Sequence, residues 1–235
     1  MLSIIIPTLN EEKYLPVLLS SLRNQNLKEP YEIIVADAGS KDKTVEMARS
    51  YGSKVVKGGL PARGRNEGAK NASGDLLLFL DADLFVPQGF LKKSLDEFRK
   101  RELAVASYKL IPRTESLIVR NGFNLFYNWP ITLYQNFIAH GAMGIMVKKN
   151  VFHEVSGFDE GVRIAEDHYF VKLASKVGKF GIIGSTKIYL PLRRFEKDGY
   201  VKTGFKYLLC GLHMYLIGPV RSDIINYKFN HYNKC

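Results

Sequence analysis

Leu76-Leu77-Leu78-Phe79-Leu80-Asp81-Ala82-Asp83 is the stretch that decides the fold. Large apolar residues run without alternation and stop at two carboxylates spaced i, i+2. An unbroken apolar run of this length fits a strand buried on both faces. Such a strand delivers its acids to the edge of a sheet, and Ala82 leaves room between them. Oxygen ligands so placed suit Mg²⁺ or Mn²⁺, with substrate phosphates completing the shell. The plainer reading is a strand end entering an ordinary loop, so the rest of the chain has to decide.

Working outward, the first half alternates strand and helix. Ser3 to Pro7 is short, apolar and rich in Ile, and reads as a buried strand. Leu15, Leu18, Leu19 and Leu22 form an i, i+3, i+4, i+7 stripe, with Asn10 as the expected N-cap and Glu11 and Glu12 in the first turn. Ile33 to Ala36 is a second strand closed by Asp37. Asp42 to Tyr51 reads as a helix stopped by Gly52, Lys54 to Val56 as a strand, and Ala62 to Ala72 as a helix leading into Leu76. This order predicts an α/β fold with a parallel sheet covered on both faces. Ligands of such sheets bind beyond the carboxyl ends of the strands. Pro7-Thr8, Asp37 and Asp81-Ala82-Asp83 all fall at such ends.

The second half is less regular. Leu91, Leu95 and Phe98 suggest a helix, Ala104 to Ala106 a strand, Gly141 to Val147 a strand, and Gly181 to Gly184 another. Glu166-Asp167 opens a helix carrying Tyr169, Phe170 and Leu173. Phe123 to Phe137 is aromatic and apolar; it could pack against the sheet or line an acceptor groove, and most of its rings are expected to pack inward.

A chain of 235 residues fits one large α/β domain or one domain with an appendage. The formal net charge is +11, which implies an anionic partner. From Thr186 onward nine basic residues stand against three acidic ones. The opening residues read as a strand and not as a signal peptide. Cys210 and Cys235 make neither a disulfide framework nor a metal motif, so a reducing, cytoplasmic compartment is expected. Tyr207 to Val220 is apolar between Lys206 and Arg221, and is too short to span a bilayer as a helix. It reads either as a core helix or as an interfacial helix on an anionic membrane, at the inner face.

Four segments in fixed order resemble family 2 glycosyltransferases. They are Ile4 to Glu11; Ile33 to Thr44; Arg65-Asn66-Glu67-Gly68 with Ala72-Ser73-Gly74-Asp75 leading to Asp81-Ala82-Asp83; and Gly157-Phe158-Asp159-Glu160 with Glu166-Asp167. The resemblance covers roughly residues 1–195. It implies a GT-A fold: a Rossmann-like, mostly parallel central sheet flanked by helices, with a helical C-terminal extension over 196–235. It further implies a nucleotide-sugar-binding half, 1–110, and an acceptor-binding half, 111–195.

The implied activity is inverting transfer of a sugar from a UDP- or GDP-sugar to a hydroxyl acceptor, which could be a glycan or lipid-linked. Pro7, Thr8 and Leu9 would meet the base and Glu11 the ribose. Asp37 would accept an N–H of the base, although an Asp before Ala-Gly-Ser also suits a turn. Arg65 would face the nucleotide. Asp83 would ligate Mn²⁺ or Mg²⁺, with Asp81 touching the metal, a water or the ribose beside Ala82. Arg193 and Arg194 would clamp the diphosphate, since guanidinium matches phosphate bidentately. Asp167 would act as general base with Glu166 supporting it; otherwise the two acids only place negative charge at a helix N-terminus. Some enzymes of this fold carry a further histidine ligand near Arg193. This chain has none there, and His140 and His168 are not assigned to the metal.

Two other readings are weighed. A sugar-nucleotide nucleotidyltransferase would carry a Gly-rich loop after its first strand, where this chain has Pro7-Thr8-Leu9-Asn10-Glu11-Glu12. A non-catalytic nucleotide-binding module would leave Asp81, Asp83 and Asp167 without a task. No nucleic-acid motif is present, so nucleic acid is not an expected partner.

Overall fold

The computed structural model describes residues 1–162, 164–199, 202–204, 206, 209, 211, 213, 214 and 217–221; of Arg194 it describes the backbone alone. The strands are β1 (Leu2–Thr8), β2 (Tyr31–Asp37), β3 (Lys54–Lys57), β4 (Leu76–Leu80), β5 (Val105–Pro112), β6 (Gly144–Lys148) and β7 (Phe180–Leu190). The helices are α1 (Leu15–Arg23), α2 (Thr44–Ser50), α3 (Pro61–Lys70), α4 (Phe90–Lys100), α5 (Leu117–Phe123), α6 (Trp129–Leu133), α7 (Lys149–Glu154), α8 (Glu166–Val177) and α9 (Arg193–Asp198), with a π-helical turn at Asn124–Asn128 between α5 and α6. The strands form one sheet in the order β3-β2-β1-β4-β6-β5-β7. β6 runs antiparallel between β4 and β5, and the other pairings are parallel. The mixed sheet follows from the route of the chain. Segment 113–143 leaves the far end of β5 and returns at that same edge, so β6 starts where β4 stops, with Leu80 facing Gly144.

The apolar runs are buried as their lack of alternation requires. Ile4, Ile5 and Ile6 of β1 and Leu77 to Leu80 of β4 lie between two helical layers, and so belong to two apolar clusters on opposite faces of the sheet. Leu15, Leu18, Leu19 and Leu22 of α1 are all buried against one of these faces, each worth roughly 2 kcal/mol of transfer free energy as an upper estimate. On the other face α3 lies unusually close to β1. A Cβ on Gly68 would meet Ile5 Cγ2 at 2.3 Å, and one on Gly64 would touch Pro7 Cβ at 3.0 Å. Only glycine lets this helix drop onto the strand, and that drop brings Arg65 down to the sheet edge.

Three expectations need correction. Asn10 does not cap α1. It takes a left-handed backbone (φ 54°) and the helix starts at Leu15. Residues 10–12 instead bind the loop after β2. The Asn10 amide donates to Ser40 Oγ (2.8 Å), the Glu11 amide to Thr44 Oγ1 (2.7 Å), and the Lys41 amide to Asn10 Oδ1 (2.8 Å). These tertiary bonds displace the local cap. The rings of 123–137 do not mostly pack. Phe123 and Tyr127 are half-buried, but Phe126, Trp129, Tyr134 and Phe137 are exposed. The polar side chains of this segment hold it in place. Asn128 donates to the Leu110 carbonyl (2.8 Å) and accepts from the Leu110 amide (2.9 Å), and Gln135 Oε1 accepts from the Ile182 amide (2.9 Å). Finally, the boundary expected at residue 195 falls inside α9, and the described part of the extension buries Thr203, Met214 and Val220. Val220 bridges Ile164, and Arg221 pairs with Asp159 at 2.6 Å. Six of the fourteen residues of the apolar stretch 207–220 lie outside the described residues. Among the described residues no helix is long and apolar enough to cross a membrane.

Candidate active site

β1, β2 and β4 end at one edge of the sheet, and the polar strand ends meet there. At the β2 end, Asp37 takes hydrogen bonds from Thr8 Oγ1 (3.2 Å), the Gly39 amide (2.9 Å), the Ser40 amide (2.8 Å) and the Ser40 hydroxyl. That is about the full acceptor capacity of a carboxylate. Asp37 therefore fixes the turn Ala38-Gly39-Ser40 and the neighbouring Pro7-Thr8-Leu9 backbone into one rigid wall.

The centre of the site is Arg65. Its side chain is 5% exposed and donates from Nη2 to Asp81 Oδ1 (2.7 Å) and from Nη1 to Glu166 Oε1 (2.6 Å). The guanidinium also lies over the Phe158 ring, 5.3 Å from its centroid. Phe158 is held by Asn66, the neighbour of Arg65. Asn66 Nδ2 donates to the Phe158 carbonyl (2.8 Å) and its Oδ1 accepts from the Phe158 amide (2.9 Å). Gly157 is the one residue that fits beside this pair: its φ is +71° and a Cβ would lie 2.7 Å from Asn66 Oδ1. The segments around 65 and 157 thus form one device that anchors the arginine.

Burial pushes the Asp81 carboxyl up to about 7; Arg65 opposes this, while Asp83, Asp167 and Glu166 add to it. Burial likewise raises Glu166, with Arg65 opposing and Asp167 adding. The site concentrates more negative charge than Arg65 alone compensates.

A second arginine works beside the first. Arg193 at the start of α9 pairs with Asp83 Oδ2 (2.7 Å) and Glu11 Oε1 (3.0 Å), and stacks on Tyr14 with its Cζ 4.5 Å from the ring centroid. Residues 11, 83 and 193 are therefore one cluster. Ala82 is buried between the two acids. Arg194 follows Arg193 in the same helix, and its side chain lies outside the described residues.

Asp167 stands at the head of α8, next to Glu166. Its Oδ1 accepts from the His168 amide (2.7 Å), and Oδ2 has no protein partner among the described residues. Ala165 before it is left-handed (φ 60°), a costly backbone for alanine that turns the two acids toward the sheet edge. Gly141 packs against the Asp167 carbonyl so closely that a Cβ would lie 2.3 Å from it. The His140 ring meets His168 edge-on at 4.1 Å and bonds the Tyr127 hydroxyl at 3.0 Å; burial, with His168 beside it, holds His140 well below the usual imidazole range.

Residues 3–157 match the family described as Glycosyl transferase family 2. The chain belongs to glycosyl transferase family 2. A 4,4'-diaponeurosporenoate glycosyltransferase of Staphylococcus haemolyticus (strain JCSC1435) is 27% identical over 236 residues, covering 89% of this chain and 59% of the relative. The poly(ribitol-phosphate) beta-N-acetylglucosaminyltransferase TarS of Staphylococcus aureus (strain Mu50 / ATCC 700699) is 35% identical over 99 residues, 38% of this chain and 17% of TarS. The chain thus spans 17% to 59% of the length of these two relatives. Among solved structures, S. aureus TarS 1-349 in complex with UDP superposes with a TM-score of 0.67 at 23% identity, covering 83% of this chain and 62% of that one. Mannosyltransferase PcManGT from Pyrobaculum calidifontis, in complex with GDP-Man and Mn²⁺, gives 0.69 at 18% identity, covering 88% of this chain and 64% of that one. At these identities the likeness concerns the fold, and the fold is GT-A.

Within this family 2 chain, the structure brings together Glu11, Arg65, Asp81, Asp83, Glu166, Asp167 and Arg193, all singled out in the sequence. It adds Asn66, Phe158 and Tyr14. Asn66 and Phe158 lie inside segments that carry the family resemblance, so a signal existed. Tyr14 had none, because its contact with Arg193 spans most of the chain. The donor set fits a divalent cation. It consists of oxygens alone, and a cation would offset the negative charge that adds to burial in raising Asp81 and Glu166. Among the described residues no three His, Cys, Asp or Glu side chains converge closely enough to hold a metal by themselves. Asp83 and Asp81 would therefore hold the ion only together with oxygens from a ligand.

Proposed function

We propose that this chain transfers a sugar from a nucleotide-diphospho-sugar to a hydroxyl acceptor in one displacement, with inversion at the anomeric carbon. The observation that carries the reading is the Arg65 bridge, which ties Asp81 at the end of β4 to Glu166 beside Asp167. One guanidinium joins the diphosphate side of the site to its candidate base. The TarS and PcManGT complexes with UDP and GDP-Man support a UDP- or GDP-sugar as the donor class.

Pro7, Thr8, Leu9, Glu11 and Asp37 form the wall for base and ribose. Arg193, with Arg194 next to it in sequence, meets the diphosphate by exchanging its hold on Asp83 and Glu11 for phosphate oxygens. Asp83 and Asp81 would hold Mn²⁺ or Mg²⁺, which supplies Lewis-acid neutralisation of the departing diphosphate when bound. Asp167 takes the proton from the acceptor hydroxyl as its oxygen bonds to the anomeric carbon. The bond from that carbon to the diphosphate oxygen breaks, and the nucleoside diphosphate leaves with the electron pair. Glu166, fixed by Arg65, keeps the Asp167 side chain aimed. Residues 1–110 carry the donor and 111–195 the acceptor.

The test is release of nucleoside diphosphate from UDP- and GDP-sugars, with and without Mn²⁺. Asp167→Asn is expected to bind donor within about twofold of the parent and to lower transfer by about 10²–10⁴-fold. Asp83→Ala is expected to remove the metal dependence together with turnover. Absence of binding to every donor overturns the reading, and an Asp167→Asn variant that transfers sugar at the parent rate overturns the base.

A further inference from the structure

We propose that the outer face of the α5–α6 segment is a docking surface for an anionic lipid bilayer. The segment is built inside out. Its side chains that point inward and bond the sheet are polar: Asn128 is 1% exposed and Gln135 is half-buried. Phe123 and Tyr127 pack partly inward, but most of its other large apolar side chains are exposed. Ile118 is 86% exposed, Phe126 81%, Trp129 59% and Phe137 86%. Monomeric proteins seldom leave so many large apolar side chains of one segment open. The face is also rigidly presented, because Asn128 clamps both backbone groups of Leu110.

Charge and composition select the occupant. From Arg113 to His153 the sequence contains one acid, the exposed Glu115, against Arg113, Arg120, Lys148 and Lys149, of which Arg113 and Arg120 are exposed on the segment. Trp, Tyr and Phe framed by arginine suit the headgroup boundary of an anionic membrane. A symmetric contact with a second copy would set the same arginines against each other, which opposes that occupant.

The surface borders the site. The segment returns to the sheet at Gly144, beside Leu80, and its Tyr127 hydroxyl bonds His140, whose ring meets His168 next to Asp167. Docking would present the Asp167 side of the site to the bilayer, so an acceptor hydroxyl on a membrane lipid could reach it. The docking itself does not depend on the proposed reaction.

Trp129 is the only tryptophan of the chain and lies on the face, so its fluorescence reports docking directly. The full chain is mixed with vesicles of phosphatidylcholine alone or containing about a quarter phosphatidylglycerol. The expected result is a blue-shifted Trp129 emission and co-sedimentation with the anionic vesicles, with binding about tenfold weaker to the neutral ones. Phe126→Ser with Phe137→Ser, and separately Ile118→Ser, weaken binding by about tenfold or more. Arg113→Glu with Arg120→Glu removes the preference for anionic lipid. Val177→Ser, an exposed apolar residue at the opposite sheet edge, changes nothing. No emission shift with either vesicle overturns the proposal, as does unaltered binding by the phenylalanine variants. A dimer in solution that those variants split assigns the face to a second copy instead. Donor turnover without lipid is read in parallel, so failure of docking and failure of the proposed reaction are told apart.

Discussion

Helix α1 and the α5–α6 segment are both rich in large apolar side chains and use them in opposite ways. In α1, Leu15, Leu18, Leu19 and Leu22 are wholly buried. In α5–α6 Ile118, Leu125, Phe126 and Trp129 are exposed, and Asn128 and Gln135 make inward contacts alongside the half-buried Phe123 and Tyr127. In α1 hydrophobicity stabilises the fold. In α5–α6 much of it is displayed, and hydrogen bonds keep it displayed. An apolar run in sequence therefore says that a surface is to be kept from water, without saying what will cover it.

The comparison breaks or sharpens on measurable stabilities. Arg65→Met is expected to be the most damaging change, lowering unfolding free energy by about 3–5 kcal/mol, because it leaves Asp81 and Glu166 without their cation. Urea denaturation at neutral pH measures it. Leu19→Ala, in the face of α1 that packs on the sheet, should cost about 2–5 kcal/mol by opening a cavity. Asn128→Ala should cost about 1–3 kcal/mol, since it strands the amide and carbonyl of Leu110 in β5. A cost near zero there would mean that the segment is held by packing after all.

Glu97→Gln tests the β7 edge at about 1 kcal/mol. Burial tends to raise Glu97, but hydrogen bonds from Ser185, Gly184 and Arg101 outweigh it and hold the carboxyl below its usual value of 4.5. A depressed carboxyl stabilises the fold above about pH 4.5, and that contribution is lost as the pH falls through the lower folded value. The gap between parent and variant should therefore be full at pH 7 and shrink below about pH 4.5. Phe126→Ala comes last, within about 0.5 kcal/mol of the parent by thermal melting. A loss of about 2 kcal/mol would place Phe126 in the core and erase the contrast.

The stretch from β1 to β4 was legible because its signals are local. Continuous apolar runs gave β1, β2 and β4, the leucine stripe gave α1, and the acids at strand ends gave the edge of the site. The first turn of α1 was misread because Asn10 has partners in Ser40 and Lys41, thirty residues on, that no local rule registers. The aromatic segment was misread for the same kind of reason: whether Phe126 or Asn128 turns inward depends on what β5 offers at Leu110.

By itself the sequence determined the alternation of strands and helices and the arrival of Asp81 and Asp83 at a sheet edge, since both follow from side-chain period and from where apolar runs stop. Only the tertiary structure decided which charges share a partner. Arg65 reaches Asp81 sixteen residues away and Glu166 one hundred and one residues away, and Arg193 closes on Glu11 across one hundred and eighty-two. Those pairings depend on how closely α3 settles on β1 and where α8 and α9 end, which are properties of packing and not of any stretch of chain.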